Sequence, residues 1–568
     1  MVGFASGAAQ LMALNAWSRL LTFALNQLAL RYITRNVLGI VGVEMELLLA
    51  TVLFLSRECI RMALLRCEAT LPLDDNGTSL ALPAARFLRH QRIVNFAYLP
   101  IAFGAVIIAA IALYLGLGSH SLSRAAVFSL AAFLELLAEP FYILATNNMY
   151  MSLRVRIEGL AVLVKCFVTI ALLRAAPIVP GTQSVSEKDG VFAFAWSQVA
   201  YGLVLWVCYA GYFFHLYRRV TVTVGVNEGK TIAPSYPNGI WLLTPRKIND
   251  VSRDSKRKVK DYYFDPELSS LAWTFAKQGF FKYVLTEGDK ILSVALITEE
   301  IQGDYSLVEK YGSIIARLLF QPIEEMSRVY FSKLLPTTIP PTPATRQAKR
   351  TALTVLTLLL RLYTLLSLTF LAFGPNYAAL LIDLLASRTF SSGSAPSVLA
   401  VYCLYVPLLA ANGVTEAFLQ SVAPQEVLLR QSAWMGGCWV AFFVCGWVTI
   451  RGLEWGGVGI VVANCVNMGL RIWFAWSFAD DFCRNDSSVE ERSLHEKERV
   501  VTEDETAILE MLNPLALFPR SPVVWLAFAA AFAITCVSNI VIGWQTLKAK
   551  ALHVAVGGVS FCVVAGVT

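Results

Sequence analysis

The chain has 568 residues, of which 56% are hydrophobic and only 15% carry a formal charge. A typical soluble domain has about 25% charged residues. The mean hydropathy is +0.58, and apolar runs of roughly 20 residues, the length that crosses a bilayer, recur along the chain. This composition excludes a water-soluble globular protein. The net charge of +7 is not gathered into a basic domain, so no nucleic-acid partner is expected.

The apolar runs predict an all-α polytopic membrane protein with about 14 transmembrane helices. The seventh and eighth predicted spans are the weakest because charged residues interrupt both, and Gly288 is a candidate helix break within the seventh. In chain order the predicted spans are 15–34, 36–56, 93–117, 125–147, 152–173, 191–217, 269–297, 306–332, 351–373, 395–421, 432–453, 456–478, 522–544 and 551–568.

Two long polar stretches divide these spans into groups of six, six and two. The first stretch is basic and the second is rich in acidic residues. The resulting organisation is an N-terminal six-helix lobe (1–217), a basic cytosolic linker (218–267), a C-terminal six-helix lobe (268–478), an acidic cytosolic loop (479–521) and a terminal helix pair (522–568). Two lobes with an even number of spans begin on the same side of the membrane, as a parallel internal repeat requires.

The distribution of basic residues predicts the sidedness. Loops that follow even-numbered spans hold 28 Lys and Arg residues, counting Arg154 and Arg156 at the mouth of span five. Loops that follow odd-numbered spans hold 8, counting Arg451 at the end of span eleven. Because cytoplasmic loops are enriched in basic residues, both termini are expected to face the cytosol. The first fourteen residues contain no Lys or Arg, so a cleaved signal peptide is not expected.

The sequence favours neither an enzyme nor a metalloprotein. The eleven cysteines are scattered without a CxxC pair, so no metal site is expected. The segment Gly225–Thr231 resembles a phosphate-binding loop but has three residues between its glycines, whereas that motif requires four. No nucleophile–base pair is evident, so we expect no catalytic residues and no cofactor.

Arginines within predicted spans are the first candidates for ligand binding, because charges at bilayer depth are costly and usually functional. Span one carries Arg19, Asn26 and Arg31 without any acidic residue. Guanidinium groups grip a diphosphate bidentately, so these three residues are headgroup candidates, together with Arg57 and Glu58 at the end of span two. Other interpretations remain open. Arg19 could pair with an acid on another helix, and Arg31 and Arg57 could mark the membrane interface.

A charge network is predicted in spans seven and eight. Arg317, Gln321, Glu324 and Arg328 recur at a spacing that places them on one face of an α-helix. The network is interpreted either as inter-helix salt bridges or as a cavity lining that contacts ligand. Its members are Lys282, Glu287, Asp289, Lys290, Arg317, Gln321, Glu324, Glu325 and Arg328, and lesser polar positions are Glu139, Glu158, Lys165 and Glu416.

Several of these residues lie in blocks that resemble the Rft family of endoplasmic-reticulum membrane proteins. The blocks follow the family's order from span one to span ten, which is more specific than any single motif. They are Arg19–Arg31, Thr51–Glu58, Arg156–Cys166, Leu285–Lys290, Tyr311–Glu325 and Asn412–Glu416.

The resemblance implies a flippase-like fold of the multidrug/oligosaccharidyl-lipid/polysaccharide exporter superfamily. It also implies a multi-pass protein of the endoplasmic reticulum that acts in N-glycosylation. Its partner would be membrane lipid in the form of a dolichyl diphosphate oligosaccharide with five mannoses and two N-acetylglucosamines. The protein would move this glycolipid from the cytosolic to the lumenal leaflet, with glycosylation-pathway proteins as candidate partners.

Two further functions remain open at the level of sequence. One is a non-transporting accessory or scaffold protein of the dolichol-linked oligosaccharide pathway, for which the charged residues would be architectural. The other, less favoured, is a drug/cation antiporter of the same fold. An antiporter would favour unpaired acids in the N-terminal half, where span one instead carries arginines.

The first prediction concerns Arg19. If this arginine binds an anionic headgroup, Arg19→Ala should reach normal abundance yet fail to restore N-glycosylation in cells that lack the family member. Arg19→Lys should restore it only in part, because lysine keeps the charge but loses the bidentate fork. A reporter glycoprotein and the protein level are measured in the same cells. Full rescue by Arg19→Ala would exclude the headgroup role, and a severe loss of protein would indicate structural pairing instead.

Overall fold

The computed structural model is almost entirely helical. It describes residues 23–64, 79–82, 84–116, 122–148, 150–179, 184–218, 221–224, 239–249, 261–335, 343–493, 517–519 and 521–567. Contacts between residues divide the chain into two compact units, Met1–Glu287 and Gly288–Thr568. We call them the first and the second unit and describe each by itself. The lobe and loop boundaries given above remain predictions.

Helices of the first unit are long and mostly apolar. The first covers 23–30 and is labelled α1. The following nine are α2 (Arg35–Gly39), α3 (Glu46–Leu64), α4 (Ala84–Ala97), α5 (Leu99–Gly116), α6 (Leu122–Leu137), α7 (Glu139–Asn147), α8 (Met151–Ala175), α9 (Glu187–Arg218) and α10 (Pro266–Thr286). A π-helical segment, Ile40–Met45, joins α2 to α3 without a break. Helix α9 packs on α6 and α8, and α10 packs on α3.

Helices of the second unit are centred on α16, which packs against α12, α13, α14 and α18. Two π-helical segments, Ala316–Phe320 and Val448–Gly452, continue α12 into α13 and extend α17. The helices are α11 (Gly288–Leu296), α12 (Glu299–Ile315), α13 (Gln321–Leu334), α14 (Pro343–Leu385), α15 (Arg388–Ser391), α16 (Ala395–Val422), α17 (Gln425–Trp447), α18 (Gly457–Ser493), α19 (Pro522–Val541) and α20 (Leu547–Val567).

Four short strands lie in the first unit. Strand β1 (Ser79–Leu82) pairs in parallel with β2 (Thr221–Val224), with Ser79 opposite Thr221. Strand β3 (Ile248–Asn249) pairs antiparallel with β4 (Asp261–Tyr262). Because β1 precedes α4 and β2 follows α9, the first pair joins the two ends of a six-helix stretch.

Ten helices in the described part of the chain are long and apolar enough to cross a membrane. They coincide with ten predicted spans, which are spans two to four, six and nine to fourteen. The stretches are Arg35–Leu64, His90–Tyr114, Ser123–Asn147, Glu187–Arg218, Gln347–Leu385, Ala395–Val422, Glu426–Gly452, Gly457–Phe482, Pro522–Val541 and Leu547–Val567. The polytopic all-α fold class is therefore confirmed.

The remaining four predicted spans differ from these ten. The first begins outside the described residues. The fifth forms the continuous helix α8, but it carries Arg154, Arg156, Glu158, Lys165 and Arg174. The seventh and eighth are not the single uninterrupted α-helices of the prediction, because the seventh is split between α10 and α11 and the eighth contains a π-helical segment.

The predicted break at Gly288 is confirmed, since α10 ends at Thr286 and α11 begins at Gly288. Helix α11 packs on α17 at this point. A Cβ atom at residue 288 would lie 2.9 Å from Nε1 of Trp439, so any larger residue would displace the Trp439 ring.

Apolar side chains cover the outer faces of the predicted spans. Val106 and Leu113 of α5 are each 68% exposed, and Ile540 of α19 is 77% exposed. Exposed apolar residues in continuous patches mark a membrane or a partner surface. Their presence on long apolar helices indicates contact with lipid.

The terminal helices α19 and α20 are fastened to α14 by polar contacts. The His553 ring stacks on Tyr377 with centroids 4.3 Å apart, and its Nδ1 atom lies 2.7 Å from Oγ of Ser538. Lys550 of α20 forms an ion pair with Asp383 of α14, whose side chain is only 3% exposed. These contacts are strong in an apolar setting because the alternative is an unpaired polar group.

The second prediction tests this attachment. Lys550→Ala should lower the stability of the protein in detergent, because the buried Asp383 carboxylate loses its cation. Removing one partner of a buried pair costs on the order of 3–5 kcal/mol. The exposed Lys548 two residues earlier provides the control, and Lys548→Ala should have no effect. Thermal unfolding of the purified variants makes the comparison, and equal midpoints for both would contradict the role of the pair.

Candidate functional site

Two arginines of α3 and two glutamates of α6 and α7 form a ladder of ion pairs in the first unit. Arg57 Nη1 lies 2.8 Å from Oε1 of Glu135 and 3.8 Å from Oε2 of Glu139. Arg61 donates from both Nε and Nη2 to the two oxygens of Glu139, with Nη2 at 2.7 Å. Arg57 and Arg61 are four apart and lie on one face of α3, and the two glutamates face them from the end of α6 and the start of α7. We call these four residues the ion-pair ladder.

The carboxylates of the ladder are buried, and they lie on either side of the boundary between α6 and α7. Glu139 is 1% exposed and Glu135 is 9% exposed. Pro140 lies in the first turn of α7, where its missing N–H group leaves no hydrogen bond unmade. The chain bends between α6 and α7 at Ala138, yet both carboxylates still face α3.

Tyr142 extends the ladder toward α8. The guanidinium of Arg61 lies 4.0 Å from the Tyr142 ring centroid, and that of Arg154 lies 4.6 Å from it. Arg154 Nη2 also donates to the Tyr142 hydroxyl at 2.7 Å. A ring contacted by two guanidinium groups is favourable because its π face is electronegative. The ladder and the polar side of α8 therefore form one connected cluster.

The polar side of α8 carries the more accessible charges. Arg154, Glu158 and Lys165 recur at a spacing that places them on one face. The Arg154 Nε atom lies 3.5 Å from Glu158 Oε1, and the Glu158 side chain is 42% exposed. The Lys165 ammonium lies 5.9 Å from the ring centroid of Tyr201 on α9. We call Arg154, Glu158, Lys165 and Tyr201 the α8 strip.

Helix α1 approaches the far end of this strip. The Cys166 thiol donates to Oδ1 of Asn26 at 3.7 Å, which places Asn26 beside the residue that follows Lys165. The strip therefore offers two cations, a carboxylate, a phenol and an amide. Such a set can bind an anionic group through charge and neutral hydroxyl groups through hydrogen bonds.

The predicted headgroup residues do not form a single group. Arg57 belongs to the ion-pair ladder, and Asn26 lies beside the α8 strip. Arg31 is exposed in the turn after α1, and Glu58 is half-buried on α3. Arg19, the first candidate, lies outside the described residues.

Arg57 and Arg61 also change the interpretation of span two. The sequence places its end near residue 56, whereas the helix continues through Leu64. Both arginines are therefore on a helix and paired with carboxylates.

The structure shows contacts made by residues of the predicted charge network of spans seven and eight. Within α13, Arg328 Nη2 pairs with Glu324 Oε1 at 2.8 Å, and Gln321 donates to Glu325 at 3.1 Å. On α11, Asp289 accepts a hydrogen bond from the Tyr305 hydroxyl at 3.0 Å.

For the other members of this predicted network, the structure gives the position on the helices and, for some, the burial. Glu287 and Lys290 are half-buried at the helix break. Lys282 and Arg317 lie on described helical backbone, but their side chains are outside the described part. The π-helical segment Ala316–Phe320 interrupts the α-helical geometry of span eight between α12 and α13.

A second buried polar cluster surrounds Glu416 on α16. Its Oε2 atom accepts hydrogen bonds from Arg471 at 2.6 Å and from Asn412 at 3.0 Å. Its Oε1 atom accepts from Gln431 at 3.1 Å and from Gln420 at 3.2 Å. Four donors satisfy this carboxylate, so the cluster is suited to holding α16, α17 and α18 together.

Sequence reasoning missed several residues of both clusters. Glu135, Tyr142, Tyr201 and Arg471 were not singled out, and Glu139 and Glu416 were treated as lesser positions. The available signal was the matched spacing of two pairs, since 57/61 and 135/139 each differ by four. Equal spacing of opposite charges on two helices favours a ladder between them.

The fold defines the class of protein. The structure is similar to the lipid II flippase MurJ in its inward closed conformation, with a TM-score of 0.54, 10% sequence identity and coverage of 98% of each chain. At this identity the similarity shows the fold alone. The chain is a polytopic helical membrane protein with a flippase-like exporter fold, as the sequence predicts.

The family follows from sequence comparison. Residues 4–568 match the family described as Rft protein, and the chain therefore belongs to that family. It is 30% identical to the Man(5)GlcNAc(2)-PP-dolichol translocation protein RFT1 of Mus musculus, over 98% of this chain and 92% of the mouse protein. It is 31% identical to the Saccharomyces cerevisiae protein of the same name, over 84% of this chain and 83% of the yeast protein. The predicted resemblance is confirmed.

The third prediction concerns the ion-pair ladder. Arg61→Ala should reduce the yield of folded protein, because it leaves the Glu139 carboxylate buried without its bidentate partner. The expected loss is about 3–5 kcal/mol. The double variant Arg61→Met/Glu139→Gln should recover much of it, since replacing both charged partners removes the stranded charge.

Fluorescence-detected size exclusion of tagged variants measures the folded yield. Arg174→Ala is the matched control, because Arg174 is exposed at the end of α8. Normal yield for Arg61→Ala would show that the ladder is not required for folding.

Proposed function

We propose that this protein translocates a dolichyl diphosphate oligosaccharide with five mannoses and two N-acetylglucosamines. Movement would be from the cytosolic to the lumenal leaflet of the endoplasmic reticulum, for protein N-glycosylation. The observation that carries the proposal is membership of the Rft family, whose mouse relative is named for this translocation and matches over 92% of its length.

The α8 strip supports the proposal on chemical grounds. Arg154 and Lys165 offer positive charge to a diphosphate, which carries strong acceptor oxygens. Glu158 and Tyr201 offer acceptor and donor groups that suit sugar hydroxyls. The ion-pair ladder lies next to the strip and fixes α3, α6 and α7, so the strip is presented from a rigid support.

The proposal includes an orientation and a class of activity. Both termini face the cytosol, in keeping with the excess of basic residues in loops that follow even-numbered spans. The protein acts as a transporter and not as an enzyme. Translocation changes the position of the glycolipid without making or breaking a covalent bond.

The fourth prediction is a translocation assay with purified protein in liposomes. Dolichyl diphosphate heptasaccharide in the inner leaflet should become accessible to an external mannose-binding lectin faster than in protein-free liposomes. Lys165→Gln should slow this exposure without changing folded yield, because it removes a charge from the strip and leaves the ladder intact. Arg174→Gln, on the same helix but at its exposed end, should behave as wild type.

The outcome also separates transport from accessory roles. Binding of the glycolipid without faster leaflet exchange would contradict the transporter and favour a scaffold that holds or delivers the lipid. A Lys165→Gln protein that exchanges the lipid at the normal rate would remove the α8 strip from the translocation pathway.

A further inference from the structure

Part of the linker between α9 and α10 packs against α4 and the core of the first unit. We call residues 239–249 and 261–265 the docked segment. The Asn95 side chain of α4 donates to the carbonyls of Arg246 at 2.6 Å and Tyr263 at 2.7 Å, and it accepts from the Arg246 amide at 2.8 Å. One asparagine therefore holds the residues that flank the paired strands, since Arg246 precedes β3 and Tyr263 follows β4.

Further contacts fix the same segment. Gln91 donates to the Thr244 carbonyl at 2.8 Å, and Tyr98 donates to the Leu243 carbonyl at 2.9 Å. Arg92 pairs with Asp265 at 3.0 Å. Leu242 and Leu243 are buried in the core of the first unit at 0% and 3% exposure. This part of the linker is therefore a fixed surface feature.

The outward side of the docked segment is both aromatic and basic. Tyr263 is 46% exposed and Phe264 is 44% exposed. The Lys247 ammonium lies 5.9 Å from the Tyr263 ring centroid, and the Arg246 guanidinium lies 4.8 Å from that of Trp241. Aromatic rings and basic groups side by side are typical of residues at a membrane–water interface.

Contacts with α4 place this surface beside a candidate membrane span. Phe264 packs edge-on against Phe96, with ring centroids 5.4 Å apart. Helix α4 leads directly into the apolar helix α5, which belongs to a stretch long and apolar enough to cross a membrane. Aromatic and basic residues next to the end of such a span are typical of the membrane–water interface.

We propose that the docked segment binds the headgroups of anionic phospholipids in the leaflet that it faces. Tyr263 and Phe264 enter the interfacial region, and Arg246 and Lys247 contact the headgroup phosphates. Charge complementarity selects anionic over zwitterionic lipid, because the cytoplasmic leaflet is negatively charged and attracts basic groups next to a span. This site is separate from the α8 strip and does not depend on the transported lipid.

The fifth prediction uses hydrogen–deuterium exchange of the full-length protein in nanodiscs. Amides of residues 239–249 should exchange more slowly in membranes containing about 30% phosphatidylserine than in pure phosphatidylcholine, by about fivefold for each basic residue engaged. The double variant Arg246→Gln/Lys247→Gln should lose this difference. About 0.5 M salt should reduce it in the wild type, because exposed charges are screened.

Two further variants separate the contributions. Tyr263→Ser should speed exchange in both membranes, since it removes the apolar contact and keeps the charges. Lys188→Gln neutralises an exposed lysine at the opposite end of α9 and should keep the full lipid dependence. Unchanged exchange in α9 shows that each variant is folded.

Equal exchange in the two membranes would overturn the proposal. So would a lipid dependence that survives in the Arg246→Gln/Lys247→Gln protein, because anionic lipid would then act elsewhere. A third outcome would also contradict it. If residues 239–249 exchange fast in both membranes and slow down only when soluble protein is added, this surface binds a protein partner instead.

Discussion

The first unit depends on the pairing of buried charges between α3 and the α6–α7 bend. Glu139 is almost fully enclosed, and a carboxylate in that position is tolerated only with a cation and hydrogen bonds around it. Arg61 supplies both in a bidentate geometry, and Arg57 bridges Glu139 to Glu135. The exchange of either arginine for a neutral residue would leave an acid without compensation. The register of α3 against α6 and α7 is therefore fixed by charge as well as by apolar packing.

The second unit also contains a carboxylate that is satisfied by donors from several helices, but most of these donors are neutral amides. Glu416 receives four donors from three helices, of which only Arg471 is charged. Loss of any one of these donors would weaken the hydrogen bonding of a Glu416 oxygen, which costs free energy in a partly buried site. Neighbouring Gly413 brings Glu324 of α13 close to α16, since a Cβ atom there would lie 3.1 Å from Glu324 Oε2. Polar side chains thus define which helix faces meet in both units.

Long apolar runs are enough to predict the membrane class and ten of the helices, and the glycine at position 288 indicates the break there. The matched spacing of 57/61 and 135/139 favours pairing of these charges. It does not show that α3 meets α6 and α7, because that depends on how helices distant in sequence pack. The π-helical segment at Ala316–Phe320 leaves no clear mark in the sequence, so the sequence predicts a continuous α-helix there. Nothing in the sequence marks Asn95, which lies near the start of the third predicted span. Its role appears only once the linker backbone is positioned against it.

The parallel pairing of β1 with β2 constrains how the chain crosses the bilayer. Both strands lie at one membrane surface, since hydrogen-bonded neighbours cannot be on opposite sides of the hydrocarbon layer. The chain between them must therefore cross an even number of times. Three stretches among the described residues of this interval are long and apolar enough to cross a membrane, namely those from His90, Ser123 and Glu187. If all three cross, an even total requires a fourth crossing, which the charged helix α8 would supply. Its Arg154, Glu158 and Lys165 would then lie within the membrane-spanning bundle.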